Sequence, residues 1–142
     1  MSAYADTSFL ASLYVLDASS ALAAGRMKRA KLRLLITPFG ELELTNAVAL
    51  RLFRKELSAS QVKAAYALIR KDLEDGVLRV NALPASAFER AKQIARRQTP
   101  RLGTRTLDVL HVASARALQA DTFYTFDTRQ AKLAAAEGLL VR

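Results

Sequence analysis

The chain has 142 residues, 51% of them hydrophobic and 25% charged, and no cysteine. This size and balance predict one globular domain spanning 1–142, and they exclude disorder, a disulfide scaffold and thiolate metal sites. Lys and Arg number 22 against 13 Asp and Glu, a net charge of +9, which attracts polyanions: nucleic acid first, anionic membrane as the rival.

No run approaches the roughly 20 apolar residues of a transmembrane helix. Residues 1–6 lack the basic start and apolar stretch of a signal peptide. The expectation is a soluble, cytoplasmic protein.

Residues 2–6 are apolar and aromatic and predict a strand, followed by a helix opened at Thr7 and Ser8 and carried by Phe9, Leu10, Leu13 and Tyr14. A second helix over 19–31 leads into a strand over 32–37. Pro38 suits the first turn of a helix over 38–55. Ser58 or Ser60 caps the next helix, whose Val62, Ala65, Tyr66 and Ile69 follow helical spacing until Gly76. A strand over 77–83 stops at Pro84. Ser86 opens a helix whose apolar stripe is Phe88, Ala91, Ile94 and Ala95 and which runs out at Gln98-Thr99-Pro100. Residues 101–105 form a basic loop, and Thr106 caps a helix over 107–120. Aromatic and β-branched content predicts a strand over 122–126, then a helix over 128–137 closed by Gly138 and a short strand at 139–141.

Strands alternating with helices predict an α/β fold with a parallel sheet and helices on both faces. With five glycines in the chain and no Gly-rich phosphate loop, a dinucleotide or P-loop site is not expected.

Four acids stand out: Asp6, Glu43, Asp108 and Asp127. Ligands of open α/β sheets bind beyond the carboxyl ends of the strands. Asp6 and Asp127 end predicted strands, and Glu43 lies near the start of the helix after Thr37, so these three share that edge. Asp108 opens a helix reached through a loop. Singly, each has a plain structural reading as a helix cap, a dipole partner or a solvated side chain. Jointly, with Thr7, Ser8, Thr125 and Thr128 as hydroxyl partners, they suit a hard divalent cation such as Mg²⁺ or Mn²⁺. Such a metal serves phosphodiester hydrolysis, and a positive surface around it holds a nucleic-acid backbone. Glu41 and Glu43 differ by about 200° in helical direction, so only one faces the pocket. Glu43 is preferred, with Glu41 as the alternative. His111, one turn after Asp108, is read as a packed or hydrogen-bonded residue rather than a ligand. Arg101, Arg105 and Arg129 are candidate phosphate contacts.

The segments Tyr4-Ala5-Asp6-Thr7-Ser8-Phe9-Leu10, Glu43-Leu44-Thr45-Asn46-Ala47, Thr106-Leu107-Asp108-Val109-Leu110-His111-Val112-Ala113 and Phe123-Tyr124-Thr125-Phe126-Asp127 resemble, in that order, the PIN domains, and more closely the VapC-type toxins of toxin-antitoxin pairs. The resemblance implies a three-layer fold with sheet order 3-2-1-4-5 and a metal-dependent endoribonuclease, often a homodimer, restrained by a cognate antitoxin. It implies Mg²⁺ or Mn²⁺ held by Asp6 and Asp108, with Asp127 as a further ligand and Glu43 positioning metal or water. Thr7 and Thr125 would support the cluster. The alternative is a non-catalytic RNA- or protein-binding module of the same fold, in which the acids are caps.

Overall fold

A computed structural model describes residues 2–31 and 33–142. Along the chain come β1 (Ala3–Ala5), α1 (Thr7–Tyr14), α2 (Ser20–Ala30), β2 (Leu34–Ile36), α3 (Pro38–Phe53), α4 (Ala59–Glu74), β3 (Leu78–Val80), α5 (Ser86–Leu102), α6 (Thr106–Ala117), β4 (Thr122–Tyr124), α7 (Thr128–Ala136) and β5 (Leu140–Val141). The strands form one sheet in the order β3-β2-β1-β4-β5. Every pairing is parallel, as expected from the alternating pattern.

The two faces of the sheet bury different residues, because side chains alternate along a strand. Ala3, Ala5, Leu34, Ile36, Leu78 and Tyr124 pack against α1, α3 and α4 through Phe9, Leu10, Leu44, Val48 and Ile69. On the other face, Tyr4 and Phe123 pack against α5, α6 and α7 through Ile94, Val109, Val112 and Leu133. Burial on both faces explains why the strands read as continuous apolar runs. Among the described residues no helix is long and apolar enough to cross a membrane.

Several boundaries differ from expectation. Leu32, placed in the second strand by its sequence, lies outside the described residues. α5 does not stop at Pro100 but continues to Leu102 and ends at Gly103, whose φ of 63° is the left-handed conformation that closes a helix. Arg101 therefore belongs to a helix's last turn and not to a loop. Ala85, not Ser86, precedes α5, and Arg105, not Thr106, precedes α6. Ser58, rather than Ser60, caps α4, in a reciprocal capping box with Gln61. The stripe on α5 is carried by buried Ala87 and Ile94, while Phe88 is exposed.

Candidate active site

β1 and β4 are neighbours with Ala5 opposite Tyr124, so the residues that follow them leave the sheet side by side. Asp6 comes first. It caps α1, its Oδ1 accepting the Phe9 N–H at 3.1 Å and the Ser8 hydroxyl at 2.7 Å. Its Oδ2 accepts the Thr125 hydroxyl at 2.6 Å. Ser8 Oγ also accepts the Phe126 N–H at 2.9 Å, and Thr125 Oγ1 accepts the Asp127 N–H at 3.0 Å. Two hydroxyls thus tie the ends of β1 and β4 around one carboxylate that is only 4% exposed. Burial pushes the pKa of Asp6 up, against the Thr125 and Ser8 bonds and the charge of His111, which pull it down.

Glu43 is reached from the other side of the same turn. On α3 it accepts the Thr7 hydroxyl at 2.9 Å and a bond from His111 Nε2. His111 Nδ1 is bonded to the Tyr4 hydroxyl at 2.7 Å, and the ring is buried, with Phe39 4.7 Å away between centroids. Burial keeps the Tyr4 phenol protonated far above its ordinary range, and an ionised Glu43 can only accept, so Nε2 carries the hydrogen given to Glu43 while the phenol holds Nδ1. Burial alone would raise the pKa of Glu43, but the His111 bond and charge together with the Thr7 bond hold it below the usual value. The same pair of contacts sets Glu43, and not Glu41, beside Thr7 and His111. His111 is buried and hydrogen-bonded, as its sequence context suggests, and it is also a direct partner of a site acid.

Asp108 opens α6 with Oδ2 accepting the Arg105 N–H at 3.0 Å, while the Arg105 guanidinium approaches to 3.6 Å. Glu43, Asp108 and Arg105 line one open cleft of about 410 Å³. Asp127 caps α7, its Oδ1 accepting the N–H groups of Arg129 and Gln130 at 2.9 and 3.1 Å. It adjoins Asp6 through Thr125. Of the candidate phosphate contacts, only Arg105 lines the cleft. Arg101 and Arg129 are exposed nearby on α5 and α7.

The acids are arranged as two linked pairs, Asp6 with Asp127 and Glu43 with Asp108, rather than as a cage. Among the described residues no group of three or more Asp, Glu or His could hold a metal ion. Donor chemistry nevertheless suits a hard cation. All four acids offer oxygen, Mg²⁺ retains water in place of missing ligands, and a buried carboxylate with a raised pKa is what a nearby cation relieves. Ser8 fills the role of hydroxyl partner expected from the sequence, whereas Tyr4 and His111 are site-building residues that the sequence did not single out as such. The signal for His111 was its position three residues after Asp108.

No curated protein sequence matches the chain. Among solved structures, VapC20 of Mycobacterium tuberculosis, described as a sarcin-ricin loop cleaving toxin, is similar with a TM-score of 0.71 and 23% identity over 98% of this chain and 97% of that one. PAE2754 of Pyrobaculum aerophilum is similar with a TM-score of 0.64 and 18% identity over 99% of this chain and 83% of that one. The family model for the PIN domain matches residues 3–136, nearly the whole chain, and the protein therefore belongs to the PIN-domain family.

Proposed function

We propose that residues 1–142 are one PIN-like domain acting as a Mg²⁺- or Mn²⁺-dependent endoribonuclease, the cytoplasmic toxin of a VapC-type toxin-antitoxin pair. The observation that carries this reading is Asp6, a carboxylate buried at the carboxyl ends of two adjacent strands and fixed there by the hydroxyls of Ser8 and Thr125. A lone structural acid has little reason to be buried there, whereas a metal ligand needs fixed oxygens.

In this reading Asp6 and Asp108 hold the metal, Asp127 joins directly or through water, and Thr7 and Thr125 orient the acids. When bound, the metal supplies an activated water and neutralises charge on the phosphoryl group. Glu43, kept ionised by His111 and Thr7, accepts a proton from the attacking water. Arg105 at the cleft, with Arg101 and Arg129 flanking it, pairs with backbone phosphates of the RNA. Leu42 and Phe53, exposed on α3 and eleven residues apart, lie on one helix face three turns apart. That face supports docking of a second copy or of the antitoxin.

A second reading has its own observation. Asp6 and Asp127 both satisfy helix N-termini, which is the whole role they would have in a non-catalytic RNA- or protein-binding module. Metal rescue separates the two. RNA cleavage should require Mg²⁺ or Mn²⁺, stop in EDTA, and be lost in Asp6→Asn and Asp108→Asn. Cleavage that persists in EDTA or in either variant would sink the nuclease mechanism, and salt-sensitive binding without turnover would favour the module.

A further inference from the structure

The basic side chains are not evenly spread over the surface. Lys31 follows α2, Arg33 precedes β2, Arg79 is the middle residue of β3 and Arg142 follows β5, yet all four line one cavity of about 600 Å³ together with Ser2 and Thr122. Among the described residues no Asp or Glu lines it. Among the described residues none of the four cations is in an ion pair. Asp121, which accepts the Ser2 N–H at 3.1 Å, stands outside the lining. Ser2 and Arg33 lead into β1 and β2 and Thr122 begins β4, while Tyr124 ends β4 and Arg142 follows β5, so the cavity reaches from the amino ends of the central strands to the end of β5.

Four like charges drawn from separate elements repel one another, and an anion among them removes that repulsion. Three are arginines, whose planar forks match phosphate oxygens two at a time. The volume falls within the range of sites for organic ligands and exceeds what one bare ion fills. We propose that this cavity is a phosphate-binding site, separate from the acidic cleft, which takes phosphate groups from a polynucleotide backbone or from a free polyphosphate. The RNA source rests on the nuclease reading above; the phosphate chemistry does not.

The test is binding in EDTA, where no metal-dependent cleavage occurs, with a fluorescein-labelled single-stranded RNA of about 24 nucleotides and with inorganic pyrophosphate as probes. Arg33→Gln/Arg79→Gln should lower RNA affinity and make the dependence of log K on log salt shallower by about 1.4, or 0.7 for each lost contact. Between 50 and 200 mM salt its affinity should then fall about sevenfold less than that of the unaltered protein. Arg33→Lys/Arg79→Lys should keep the slope at reduced affinity, since charge remains but the fork is lost. The control, Arg54→Gln/Lys63→Gln, removes two exposed charges outside the cavity and should change the slope by less than half as much. An unchanged RNA slope with loss of the pyrophosphate-induced thermal shift would assign the site to free polyphosphate. Equal slope changes in cavity and control variants, or no change with either probe, would overturn the proposal. Cleavage of the same RNA with Mg²⁺ is scored separately, so failure of the nuclease reading leaves the binding result standing.

Discussion

Tyr4 and Glu43 do not touch, yet each holds one nitrogen of the same buried imidazole ring. Tyr4 is bonded to Nδ1 of His111 at 2.7 Å, and Nε2 donates to Glu43. A buried chain of this kind is informative only when each link can be cut separately. Tyr4→Phe should cost about 1–2 kcal/mol of stability and loosen the hold on the ring, lowering kcat more than it raises KM. His111→Gln keeps a donor towards Glu43 and should retain more activity than His111→Ala, which also leaves a cavity and should cost about 3 kcal/mol. Equal activity in the two His111 variants would argue against a positioning role. Denaturant unfolding with steady-state cleavage checks both.

Asp6→Asn should separate stability from activity. Asparagine can still cap α1 through its carbonyl oxygen, but it removes a charge that burial penalises. In EDTA at neutral pH the variant should be more stable by about 1 kcal/mol, or roughly 3 °C in Tm. Its cleavage rate should fall by at least about 100-fold. A Tm below that of the unaltered protein would show that the ionised form is better compensated than its surroundings indicate.

The pH dependence of stability should carry two opposite signatures. The pKa of Asp6 is raised in the fold, so its contribution is fully present below the unfolded value of 3.8 and is lost as pH rises through the folded value. The pKa of Glu43 is lowered, so its contribution is present above 4.5 and is lost as pH falls through the folded value. Metal-free Tm profiles should therefore show the advantage of Asp6→Asn growing with pH, while Glu43→Gln loses stability mainly on the neutral side. Glu41→Gln serves as the control and should leave both the profile and the cleavage unchanged.

Thr125 is a third point of leverage. Its hydroxyl gives Asp6 a 2.6 Å bond and takes the Asp127 N–H. Thr125→Val keeps the volume but strands both partners, and should cost about 2 kcal/mol and 10- to 100-fold in activity. Thr125→Ser should recover most of each. Loss of activity without loss of stability in the valine variant would place the hydroxyl in metal binding alone.

The parallel sheet and the shared edge of Asp6 and Asp127 were legible because strands buried on both faces leave uninterrupted apolar runs that these acids end, and Glu43 joined them through its place near the start of the helix after Thr37; the strand order came from the resemblance to the PIN domains. The end of α5 was not. Pro100 reads as a stop, but in the final turn it forfeits only the bond its N–H would have made, and Gly103, with its N–H on Thr99 O at 2.8 Å, is the true terminator. The choice between Glu41 and Glu43 depended on how α3 is rotated about its axis, which packing of Leu44 and Val48 decides. His111 was legible as a buried residue but not as a neighbour of Glu43, because that contact joins positions 68 residues apart.

Asp6 begins α1 with one oxygen and meets Thr125 with the other. A chemically silent variant for trapping substrate or a partner should therefore be asparagine and never alanine at this position. Alanine would unfasten the first turn of α1 and with it Ser8 and Thr7, so a complex formed with such a protein would report on a rearranged surface. The amide preserves the scaffold that a captured ligand is meant to recognise.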